Sequence, residues 1–247
     1  MSRLTFDAKK HYYELDGKPI TGTTKILQVI AKPALIQWAA GVAVEYICEH
    51  IKELIIGTKE EQDRILKEAK FAHRRKKESA GDIGKAVHEL VENWIGLTHL
   101  NRPAKKKFPE LAKLSEKEQA QSKRMAELFY AWATDDKVKF FDSEHQTFSE
   151  KYWFCGTADF LCEIDGKTYL GDLKTSSGIY PDMWAQCAAY AICEEEQNPG
   201  LKISGFQIVN IRKDETIQTK QSFDLVGYKR MFLSALVIFR QLEEKKQ

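Results

Sequence analysis

The chain has 247 residues, enough for one large domain or two small ones, and it is 43% hydrophobic and 30% charged, as expected of a folded chain with a heavily charged surface. Its 38 Lys and Arg against 36 Asp and Glu leave a net charge of +2, which excludes an acidic tail or a uniformly basic coat but not a local basic patch. Five cysteines with no CxxC pair argue against a disulfide framework and a zinc ribbon. The longest mostly apolar stretch, 231–239, is half of what a membrane span needs, so no membrane partner is expected and a reducing cytoplasmic setting is.

In chain order, Asp16-Gly17 between two short apolar-alternating runs predicts a β-hairpin. Thr23 or Thr24 is placed to cap a helix entering 25–31, and Pro33 restarts a helical pattern that runs through Ile56. A very charged helix is predicted over 59–79, punctuated at Gly81-Asp82, with another over 83–95. Residues 97–114 read as a loop, and Ser115 with Glu118 three positions on is a capping box opening a further helix. From Val138 the period changes. Strands are predicted at 140–148, 156–164 and 167–173, the last two joined at Asp165-Gly166, followed by a helix over 180–195, strands at 203–211 and 216–223, and a closing helix to Glu244. The result is an α/β chain: an N-terminal hairpin and helical region at 1–80, then a mixed central sheet flanked by helices at 81–247, with a helical insertion near 97–135.

The chemistry concentrates in Gly156-Thr157-Ala158-Asp159 and Asp172-Leu173-Lys174-Thr175. A two-residue turn at Asp165-Gly166 brings Asp159 and Asp172 to one level of adjoining strands. Two such charges are costly together unless a cation shares them, and hard oxygen ligands suit Mg²⁺ or Mn²⁺. Lys174 falls on the same face as Asp172, where its charge can stabilise a developing phosphorane. A lone DxK on a strand is also a common solvated pattern. Upstream, Gly84-x-x-x-His88 lies on a helix, with Glu92 one turn further; His88-Glu89-Leu90-Val91-Glu92 lacks the second histidine of a zinc protease. A lone helical histidine is commonly a core residue, and Gln186-x-x-x-Tyr190 by itself reads as helix packing.

Taken together and in this order, GxxxH, GxxD, DxK and QxxxY resemble the RecB-like branch of the PD-(D/E)XK nuclease superfamily. Residues 20–27 and 35–39 are similar to the leader of its phage-type and mitochondrial-genome-maintenance exonucleases. The resemblance implies a restriction-endonuclease-like core. It also implies His88, Asp159, Asp172 and the Leu173 backbone carbonyl as ligands of Mg²⁺ or Mn²⁺, with Glu144 on the preceding strand a further candidate. Lys174 is then catalytic, and Gln186 and Tyr190 complete the site with the two aspartates. The four-cysteine set of the iron–sulfur relatives is missing, so no cluster is expected. Asp172 stands where glutamate is commoner in the family.

The implied activity is metal-assisted hydrolysis of DNA phosphodiesters, as an exonuclease on single-stranded ends, in a bacterial or phage-infected cell and alongside recombination or replication proteins. The rivals are a structure-specific or double-strand endonuclease and a catalytically silent nucleic-acid-binding module. Arg74, Arg75, Lys76, Lys77 and Lys105, Lys106, Lys107 are candidate phosphate contacts, or simply solvated faces. Thr23 and Thr24, near a helix start, are either phosphate contacts or caps.

Overall fold

The computed structural model describes residues 3–7 and 12–245. The chain divides into two compact units, one formed by residues 3–7, 12–30 and 86–245 and the other by Ala31–Lys85.

The first unit is an α/β structure around a mixed sheet of eight strands. Strands β1 (Leu4–Asp7), β2 (Tyr12–Leu15) and β3 (Lys18–Gly22) form an antiparallel meander, its β2–β3 turn carried by Asp16 and Gly17 at φ 49° and 75°. Both positions need the left-handed region, which is why this dipeptide is a strong turn signal. The short helix α1 (Thr23–Ile26) follows and tightens into a 3₁₀ turn at Leu27–Val29. β4 (Lys139–Ser149) and β5 (Phe154–Ile164) make a long antiparallel hairpin. β6 (Lys167–Lys174) returns beside β5 through a second left-handed pair, Asp165 and Gly166. β7 (Gly205–Ile211) adds parallel to β6, and β8 (Ile217–Ser222) closes the order β1-β2-β3-β5-β6-β7-β8.

Helices flank the sheet. α7 (Pro181–Gln197) and α8 (Leu225–Glu244) bury Ala185, Ala189 and Phe232 with Phe154 and Ile26, and the Phe154 and Phe232 rings lie 4.6 Å apart. A separate aromatic cluster joins Phe129 and Trp132 of α6 (Glu116–Asp135) to Phe140 and Phe160 of the sheet. The α6 capping box forms as the sequence predicts: Glu118 N–H donates to Ser115 Oγ and Ser115 N–H to Glu118 Oε2. Residues 97–114, read as a loop, hold one short helix, α5 (Pro109–Ala112), whose first amides are capped by the Glu89 carboxylate.

The second unit holds α2 (Pro33–Glu49), α3 (Ile51–Ile56) and the start of α4 (Lys59–Thr98). Tyr46 O–H donates to Glu68 Oε2, and Lys76 Nζ meets Glu45 Oε2 at 2.9 Å, tying α2 to α4.

Two sequence expectations are corrected. α4 runs unbroken for 40 residues through Gly81-Asp82. A single glycine weakens a helix by only about 1 kcal/mol, and Asp82 and Lys85 form an i,i+3 pair. The hairpin grouped with the N-terminal helices instead extends the central sheet, because β3 pairs parallel with β5 at Thr21↔Phe154 and Gly22↔Cys155. Among the described residues, no single helix is long and apolar enough to cross a membrane.

Candidate functional site

The site is built on a fork in the sheet. β5 and β6 pair from Ile164↔Lys167 up to Phe160↔Gly171, the last rung of their ladder. One residue further, Asp159 faces Asp172, as the turn spacing predicts, but the ladder has opened: the Leu173 amide N–H donates to Asp159 Oδ2 at 2.7 Å instead of to a strand carbonyl. The carboxylate thus replaces backbone at the point of divergence. On the same side of β5, past the fork, β3 occupies the edge.

Two glycines make this arrangement possible. A Cβ at Gly171 would fall 1.8 Å from the Phe160 ring, and one at Gly156 would fall 2.5 Å from the Tyr190 ring. The glycine of GxxD therefore seats the tyrosine of QxxxY directly on β5. Tyr190 is buried, and its hydroxyl accepts a hydrogen bond of 2.9 Å from Gln186 Nε2, one helical turn away on α7.

His88 reaches the fork from α4, whose neighbouring Ala86, Val87, Val91 and Ile95 are buried. Its Nδ1 lies 3.5 Å from Glu144 Oε1 and 3.6 Å from Asp159 Oδ1. These three side chains offer ligand atoms all within 4.8 Å of one another. Glu144 sits on β4 directly opposite Asp159, between the pairs Ser143↔Phe160 and His145↔Ala158, with φ at 50°. Burial alone would lower the His88 pKa, but the charge of Asp159 and the hydrogen bond and charge of Glu144 outweigh it and push it up to about 9. A proton and a cation therefore compete for this imidazole.

Asp172 and Lys174 form the second half. Lys174 Nζ donates to Asp172 Oδ1 at 2.6 Å, with Asp172 fully buried and the Lys174 side chain 20% exposed. Burial raises the Asp172 carboxyl above the usual range, against the opposing pull of Lys174. Burial would lower the Lys174 ammonium, yet Asp172 and Asp159 together raise it. Among the described residues, Asp172 Oδ2 is buried without a hydrogen-bond partner, as Glu194 Oε1 is too. An oxygen in that state is costly to bury.

Other expected contacts fall differently. Asp172 is not part of the tight His88–Glu144–Asp159 group; Lys174 is its immediate partner. At Leu173 the amide N–H meets the site by donating to Asp159 Oδ2, and in an extended strand the carbonyl of the same residue, which the resemblance names, lies on that side as well. The Thr23 hydroxyl is buried and donates to the Cys155 carbonyl at 3.0 Å, so it is not displayed to a phosphate. Neither threonine caps α1: the N-cap is Gly22, without a side-chain bond, and Thr24 is exposed within the helix. Lys105 Nζ meets Glu92 Oε2 and its amide donates to Asn93, which fixes it one helical turn from His88; Lys106 and Lys107 are exposed beside it. In the second unit, Arg74 lies over the Phe71 ring, Arg75 over Tyr46, and Lys76 pairs with Glu45, while Lys77 is exposed.

Tyr13, an aromatic that the sequence offers for either base stacking or core packing, packs against the Leu4–Leu15–Ile20 cluster, and its ring lies where a Cβ on Gly22 would come within 3.2 Å. Sequence reasoning missed the partners of β4 around Glu144: Arg102, Asp142, His145 and Glu194. The carboxylates of Asp142 and Glu194 raise the His145 pKa to about 10.

No protein-family description matches the chain, and no curated protein does. Among solved structures it is similar to one described as "Crystal structure of SSO0001", at 17% identity over 62% of this chain and 74% of that one, with a TM-score of 0.32. A likeness at that level carries no argument about the site.

Proposed function

We propose that the protein is a metal-dependent phosphodiesterase. Within that class we propose a DNA exonuclease acting on single-stranded ends. The observation that supports this reading best is the convergence of His88, Glu144 and Asp159 within 4.8 Å, beside a buried Asp172–Lys174 pair with an orphaned carboxylate oxygen. One imidazole and three carboxylates are a donor set suited to Mn²⁺ or Mg²⁺. His88, Glu144 and Asp159 would hold the ion, with Asp172 Oδ2 a further oxygen facing an unmet need. When bound, a divalent cation polarises a phosphodiester and lowers the pKa of a water.

The remaining roles belong to the chain. Asp159 is oriented by the Leu173 amide, so its second oxygen is directed at His88. Lys174, held by Asp172, supplies fixed positive charge that needs no reorganisation as a phosphorane forms. Gln186 and Tyr190 keep β5 in place through Gly156. Lys105, Lys106 and Lys107 lie on the loop tied to α4 beyond His88, suited to a phosphate backbone approaching the site.

The test is cleavage of end-labelled linear and circular DNA, single- and double-stranded, with Mg²⁺, Mn²⁺ or chelator. Linear single strands should shorten to small products, circles should survive, and chelator should stop the reaction. Rapid cutting of circles would replace the exonuclease reading with an endonuclease. Tight binding without cleavage under any metal would leave a nucleic-acid-binding module.

A further inference from the structure

Glu144 is the one member of the candidate metal group in an unfavourable backbone conformation. Its φ of 50° is left-handed, and it lies within a strand whose flanking residues pair regularly with β5. A non-glycine residue stays there only if its neighbours hold it. The neighbours are held from both sides. Arg102, on the loop after α4, donates to the Ser143 carbonyl at 3.1 Å and to Asp142 Oδ1 at 2.5 Å. His145 places Nδ1 2.9 Å from Asp142 Oδ2 and Nε2 3.2 Å from Glu194 Oε1 on α7. Glu194 is 5% exposed, its Oε1 meets His145 as an ion pair without a hydrogen bond, and its Oε2 accepts from Asn198 Nδ2, so the far end of this contact lies on a packed helix.

We infer that His145 is a positioning residue: with Asp142, Arg102 and Glu194 it clamps β4 on both sides of Glu144 and so aims that carboxylate at His88 and Asp159. Without the clamp the backbone at Glu144 relaxes toward an ordinary extended conformation. In a regular strand such a change carries the side chain away from its present direction, and the three-residue group loses one oxygen. The consequence for metal binding rests on the proposed function; the clamp itself does not.

Two cycles test it. In the first, Mn²⁺ affinity is measured by calorimetry for the parent, His145→Ala, Glu144→Gln and the double variant. Loss of a residue that orients a ligand typically weakens metal binding 10–100-fold, so His145→Ala should weaken it by about tenfold. In the Glu144→Gln background the same change should have less than about a twofold effect. An equal loss in both backgrounds would show that His145 does not act through Glu144.

The second cycle needs no metal. Ala resists the left-handed conformation and Gly does not, so Glu144→Gly should melt about 2–4 °C above Glu144→Ala. In the His145→Ala background that gap should shrink to about 1 °C or less. A gap that persists would overturn the clamp. If the parent binds no Mn²⁺, the metal reading fails, and the melting cycle decides the clamp alone. Should His145→Ala not fold, His145→Gln takes its place in both cycles.

Discussion

Lys174 and Asp172 are each other's compensation in a buried place, which separates two effects that a single substitution would confuse. Lys174→Ala leaves a carboxylate buried without a counter-charge, a loss of about 3–5 kcal/mol. The variant should therefore melt well below the parent as well as losing cleavage. Lys174→Ala with Asp172→Asn should recover most of the melting temperature and none of the activity; recovery of activity would remove Lys174 from the mechanism. At the β2–β3 turn, the Arg3 side chain grips Asp16 in a fork, and this hydrogen bonding holds the Asp16 carboxyl below its usual range. A depressed folded-state pKa stabilises above the unfolded value near 4 and is lost as pH falls through the folded one. Asp16→Asn keeps a residue that tolerates φ 49° and removes the charge. It should lower the melting point at pH 7 slightly, on the order of 1–2 °C, and the difference should fade as pH falls below the unfolded carboxyl value near 4. Thermal melts across pH 2.5–7 check the sign.

Among the elements, α4 shows where local signals mislead. Gly81-Asp82 reads as a stop, yet the helix continues, and a Cβ at Gly81 would meet nothing within 4 Å. Gly81→Ala should therefore stabilise by about 0.5–1 kcal/mol; a loss of stability in chemical denaturation would mean that the glycine serves a contact. The same reading found the α6 capping box, both Asp-Gly turns and the strands that carry Asp159 and Asp172, because each of these depends on residues a few positions apart. It missed β1 because that strand is only four residues long. The rest of what it missed depends on residues far apart. The left-handed Glu144 is imposed by Arg102 and Glu194, which no local pattern connects to it. Gly156 could be read as part of a motif but not as the seat of Tyr190.

At the scale of the molecule, the basic run at Arg74–Lys77 belongs to a unit with its own contacts. Three of the four cations already have partners, two over aromatic rings and one on Glu45. Each phosphate contact to a single strand contributes about 0.7 to the slope of log K against log salt. Replacing all four with alanine should reduce that slope by less than the full four contacts, about 0.7–1.4. Replacing Lys105, Lys106 and Lys107 should reduce it by a similar amount or more. No change for either set in fluorescence titrations would assign both runs to solvated surface.

The parallel pairing of β3 with β5 has a consequence for how the chain is made. The Thr23–Cys155 bond that accompanies it joins residues 132 positions apart. Such closures are the slowest to form, because their loop entropy must be met before any contact rewards it. During synthesis the β1–β3 meander leaves the ribosome long before β5 exists, and its β3 edge waits unpaired while the intervening chain is made. This edge is where misassembly should begin, and it is the final seam to close when the protein refolds. In pulsed hydrogen exchange, the amides at the β3–β5 seam should gain protection after those of the β4–β5 hairpin.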